Sequence, residues 1–114
     1  MSQILDKRFL RKLYDCYITL PPFCGWRMPP ARKVTFEITD ATDHYGLFIP
    51  YPMRIQISNQ NDSFYLLCDT LLHEMVHLYL FYNGHTDYNQ HEEKFKKLSA
   101  EVCDTLLLSH EHFG

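Results

Sequence analysis

The chain has 114 residues, 46% hydrophobic, 22% charged and 15% aromatic, with a formal net charge of −3. That length leaves room for one domain, residues 1–114, and the aromatic content excludes a chain disordered throughout. The mildly acidic balance lacks the basic footprint that nucleic-acid and membrane-surface binders usually carry.

Ile4, Leu5, Phe9, Leu10, Leu13, Tyr14, Tyr17 and Ile18 recur mostly at three- and four-residue steps. This spacing predicts an amphipathic helix from Ser2 to about Thr19, with Lys7, Arg8, Arg11 and Lys12 on its solvated face. Leu20-Pro21-Pro22 stops it. Residues 21–32 hold four prolines and Gly25, the composition of an irregular crossing loop. Trp26 reads as the pin that fastens this loop to the core. The other reading stacks Trp26 on a base, with Arg27, Arg32 and Lys33 on phosphates.

Val34, Phe36 and Ile38 alternate with polar neighbours, as in a half-buried strand. Residues 40–43 read as a turn, Tyr45 to Ile49 as a second strand and Arg54 to Ser58 as a third. The short connections favour a small, mostly antiparallel meander. Residues 59–63 form a turn rich in helix-capping side chains. From residue 63 or 64 to about Tyr82 the chain is apolar nearly all round, which predicts a helix buried on every side. Asn83-Gly84 ends it with a residue suited to the left-handed position. After a polar loop, Asn89 and Glu92 resemble a capping box opening a last helix over residues 90–108. Its apolar face is Phe95, Leu98, Val102, Thr105 and Leu106. A helix, three strands and two helices imply an α+β domain.

No stretch approaches the roughly 20 apolar residues of a membrane helix, and the N-terminus has no signal-like apolar region. Cys16, Cys24, Cys68 and Cys103 form no CxxC pair, which excludes a zinc ribbon within the chain. Free thiols in a reducing cytoplasm are expected.

Histidine is the anomaly: there are seven. Two of them stand in the predicted buried helix as His73-Glu74-Met75-Val76-His77, an H-E-x-x-H pattern. Residues i and i+4 share a helix face, so two imidazoles can reach one ion. Glu74 is rotated by about 100°, so it can miss the ion and act as a base on water instead. Leaving two histidines and a glutamate unpartnered in such a helix would cost several kcal/mol. The alternative is that all three are hydrogen-bonded core residues, with Glu74 paired to an arginine. A catalytic zinc usually has a third protein ligand. His85, His91, Glu92, Glu93 and Glu101 are the candidates. His85 lies too close to the end of its own helix. His91 is best placed, because Gly84 lets the next helix return beside the first.

From about residue 5 to 108, and most specifically over residues 71–95, the chain resembles the SprT-like metalloprotease family. That family has H-E-x-x-H on a buried helix and a third histidine in an H-G-x-x-F context, here His91-Glu92-Glu93-Lys94-Phe95. Glu92 stands where the family has glycine. The resemblance implies a zincin-like minimal core that binds Zn²⁺ through His73, His77 and His91, with Glu74 as catalytic base. It implies a protein or peptide substrate. It also points to DNA-dependent proteolysis at the nucleoid, although better-known relatives carry basic surfaces and DNA-binding extensions that this chain lacks. The competing functions are a non-catalytic zinc-containing module binding protein or DNA, and another zinc hydrolase with Glu101 as third ligand. Tyr45, Tyr51, Tyr88, His85 and Arg54 are candidate auxiliary donors, and residues Gly46 to Ile57 are the expected wall for an extended peptide. Gly46 either permits a close backbone approach or marks a bulge. His44 reads as a surface turn residue, and His110 and His112 as a solvated tail.

Overall fold

A computed structural model describes residues 6–106 and Leu108. Ile4, Leu5, His110 and His112 lie outside the described residues.

Helix α1 spans Lys7–Tyr17. Asp6 caps it, its Oδ1 accepting from the Arg8 N–H at 2.7 Å. Leu10 and Tyr14 are buried, while Lys7, Arg8, Arg11 and Lys12 are exposed as expected. The Tyr14 hydroxyl donates to the Pro29 carbonyl at 2.6 Å, tying α1 to the proline-rich loop. That loop contains two short 3₁₀ turns, Phe23–Gly25 and Ala31–Lys33. Trp26 does pin it: its ring lies 4.9 Å from Phe23 and 4.7 Å from Tyr79 of the long helix.

Strands β1 (Thr35–Thr39), β2 (Gly46–Ile49) and β3 (Arg54–Ser58) form one sheet in the order β1-β3-β2. β2 and β3 are antiparallel, but β1 and β3 are parallel, so the sheet is mixed. This corrects the expected meander. A β1–β2 hairpin needs a short turn, commonly of about two to five residues. Residues 40–45 instead carry the chain across the end of β3. Buried polar groups hold them there. Ser58 Oγ donates to the Ala41 carbonyl at 2.6 Å, and Gln60 Nε2 to the same carbonyl at 2.8 Å. Asn61, fully buried, donates from Nδ2 to the Tyr45 and Ser58 carbonyls at 2.9 and 2.7 Å. Residues 59–61 are therefore a polar strap as well as a turn.

Helix α2 spans Phe64–Tyr82 and starts at Ser63, whose Oγ accepts from the Leu66 N–H at 3.1 Å. Leu67, Leu71, Met75, Val76 and Leu78 are 0% exposed. The helix packs on β2 and β3 and against α3, and so is covered from both sides. Phe36, Phe48, Ile55 and Ile57 supply the sheet's side of this core. α2 ends at Gly84, with φ of +82°, the conformation that favours glycine. Gly84 N–H donates to the Phe81 carbonyl and His85 N–H to the Leu80 carbonyl, which is a Schellman closure.

Helix α3 spans Glu93–Leu106, starting three residues later than expected. The Lys96 N–H bonds to the Glu92 carbonyl at 2.9 Å, so Glu92 caps the helix and the Asn89 capping box is overturned. His91 therefore lies in the preceding loop. All four cysteines are free thiols, and no helix of the described residues is long and apolar enough to cross a membrane.

Candidate metal centre

α2 sets two of the three histidines. One turn apart on one face, His73 and His77 place their Nε2 atoms 3.3 Å from each other. The α2–α3 loop then returns His91, whose Nε2 lies 3.2 Å from each of them. Zn–N bonds of about 2.0–2.1 Å in a tetrahedron give a ligand–ligand edge of about 3.3–3.4 Å. The three nitrogens are thus spaced as one face of such a tetrahedron. Among the described residues, they form the group of side chains that could hold a metal ion.

The donor chemistry fits as well. His77 Nδ1 lies 2.7 Å from the Tyr88 carbonyl, which can only accept. His77 therefore carries its proton on Nδ1, leaving the Nε2 lone pair directed at the other two rings. Burial lowers the His77 pKa from 6.5 to about 4; the Tyr88 bond opposes this shift, and His73 and His91 add to it. The neutral form is the one a metal needs. Phe95, from the first turn of α3, forms the floor. Its ring stacks on His77 at 4.5 Å and 25°, and lies 4.8 Å from His73 and 4.7 Å from His91. Exposure rises across the group: His77 is buried, His73 half-buried and His91 exposed. The centre is therefore open on the His91 side.

Glu74 is turned toward β2 and is 5% exposed. Burial alone pushes its carboxyl up from 4.5 to about 8. Gly46 is the reason β2 can approach so closely. A Cβ there would lie 2.6 Å from Thr70 Cγ2 and 3.1 Å from Glu74 Oε2. Gly46 thus serves close approach rather than a bulge. Thr70, one turn before Glu74, donates to Asn61 Oδ1 at 2.7 Å, so the polar strap also registers α2 against β2.

The remaining candidates fall elsewhere. His85 Nδ1 accepts from Lys94 Nζ at 3.1 Å, and Glu92, Glu93 and Glu101 are exposed. None of these four joins the group of potential ligands. Among the proposed donors, Arg54 pairs with Glu37 on the sheet. Tyr51 is 79% exposed and packs edge-on to Phe81, and Tyr45 is half exposed beside Gly46. Tyr88 reaches the site through its carbonyl, which no side-chain pattern could have announced. His44 pairs with Asp43 in the crossing loop.

A family model described as the SprT-like family matches residues 53–112. The match takes in β3, α2, the His91 loop and α3, and leaves α1, β1 and β2 outside it. No curated protein and no solved structure matches the chain.

Proposed function

The chain belongs to the SprT-like family, and on that premise we propose that it is a zinc-dependent peptidase with a zincin-like core. His73, His77 and His91 would hold the ion, and Glu74 would be the general base. The supporting observation is three imidazole nitrogens within 3.3 Å of one another, with a buried carboxyl group on the same helix. A divalent ion bound there supplies Lewis-acid polarisation of a carbonyl and acidification of water.

The chain's own residues do the rest. Tyr88 keeps His77 in the tautomer with a free Nε2. A Glu74 oxygen takes the proton of the attacking water and passes it to the leaving amine. The apolar body of α2 keeps that carboxylate away from bulk water. The substrate would be an extended peptide, paired along the free edge of β2. β3 is already bonded on both sides, so the wall contracts from the expected 46–57 to Gly46–Ile49. Gly46 brings that edge against Glu74, so a paired peptide would run beside the base.

Glu74→Gln tests this reading. The variant should bind zinc at the wild-type stoichiometry and cleave an unfolded protein such as casein about 10²- to 10⁴-fold more slowly. Cleavage at the wild-type rate would refute the assignment. Adding single- or double-stranded DNA to the same assay tests DNA as an activator, whose effect should fall with salt.

A further inference from the structure

The loop between α2 and α3 supplies two separate parts of the candidate centre. Its Tyr88 carbonyl holds His77, and its far end carries His91. The Tyr88 ring anchors the middle of this loop in the core, 5.1 Å from Phe81 and 6.1 Å from Phe48. The Gln90 N–H donates to the Asp87 carbonyl at 3.0 Å in a turn. Two polar contacts of the flanking residues 85 and 87 converge on Lys94, in the first turn of α3. Its Nζ donates to His85 Nδ1 at 3.1 Å and lies 3.6 Å from Asp87 Oδ1. That carboxylate oxygen is buried and has no hydrogen-bond partner, so the ammonium is its charge compensation. One cation on a rigid helix thus reaches both the start and the middle of the segment.

We propose that Lys94 is a positioning residue for the metal centre, clamping residues 85–87 so that the Tyr88 carbonyl and His91 arrive together at His77. This rests on the reading of the three histidines as a metal site. Electrostatics alone predicts the opposite sign for its removal. Taking a positive charge away from near a divalent cation should tighten binding, whereas losing the clamp should loosen it.

Cobalt(II) titration followed by its visible d–d absorption separates the two effects. Lys94→Met should bind cobalt roughly five- to tenfold more weakly than wild type, with an altered spectrum. Lys94→Arg should restore most of the affinity, and Lys97→Met, an equal charge change on the exposed side of α3, should not weaken binding. A second arm uses metal-stripped protein. Amide hydrogen exchange over residues 85–91 should quicken in Lys94→Met and remain unchanged elsewhere. Cobalt affinity at or above the wild-type level in Lys94→Met would overturn the proposal, as would unchanged exchange over 85–91. If wild-type protein takes up no cobalt, the metal reading fails, and the exchange arm alone decides the clamp.

Discussion

His77 and His91 face each other at 3.2 Å, yet they are held by different physics. His77 belongs to α2, whose neighbouring side chains are among the most buried in the molecule. It cannot move without moving the core. His91 is exposed at the end of a loop that is fastened by the Tyr88 ring in the core, by polar contacts to Lys94 and by the Phe95 ring. A rigid half and a latched half thus compose one candidate site. The candidate site is vulnerable in two ways: the helix half fails with the fold, and the loop half can fail alone.

The sharpest way to test that contrast is to remove each imidazole in turn. Both His77→Ala and His91→Ala should abolish stoichiometric zinc. His77→Ala should also lower the stability of metal-stripped protein by about 1–3 kcal/mol, because it empties a buried position stacked on Phe95. His91→Ala should leave that stability within about 0.5 kcal/mol of wild type. Denaturant unfolding of the stripped proteins measures this, and equal losses in the two variants would erase the distinction.

At the β2 contact the expected loss is of turnover and stability, without loss of zinc. Gly46→Ala forces a Cβ against Thr70 and Glu74 and should cost about 1–3 kcal/mol. It should slow cleavage while sparing zinc content. Gly84→Ala meets no atom within 4 Å and pays only for its positive φ, about 1–2 kcal/mol. Normal turnover in Gly46→Ala would exclude β2 from a role in cleavage.

The pH dependence of metal-stripped protein follows from two buried groups of opposite sign. Glu74 rises from 4.5 to about 8, so its neutral form is favoured by folding. Its contribution is complete below 4.5 and is lost as pH rises toward 8. His77 falls from 6.5 to about 4, so its contribution is complete above 6.5 and is lost as pH falls toward 4. The two changes oppose each other between 4.5 and 6.5. Above 6.5 only Glu74 acts, so stripped protein should melt lower at pH 8 than at pH 6.5. Bound zinc should flatten that slope, since a nearby cation favours the carboxylate. Thermal melts with and without zinc check both statements.

Much of the rigid half was legible in the sequence. The unbroken apolar run gave α2 within a residue at its start, and helical spacing alone put His73 and His77 on one face. Gly84 was legible because only its left-handed turn closes that helix. The latched half was less so. His91 was legible as a candidate that the structure groups with His73 and His77, but its place before α3 was not, because Asn89 and Glu92 imitate a capping box that the backbone does not use. The Tyr88 carbonyl leaves no side-chain signature. Strand order escaped for a similar reason. Alternation marks the faces of β1 and β3, but their parallel pairing depends on Ser58, Gln60 and Asn61 bonding to backbone carbonyls of residues 41–45.

Three histidines from the two halves are proposed to make one metal site. Zinc content of purified wild-type protein, beside His73→Ala, His77→Ala and His91→Ala, measures it directly. One zinc per wild-type chain and none in each variant is the predicted result. Zinc retained at one per chain after loss of His91 would contradict it.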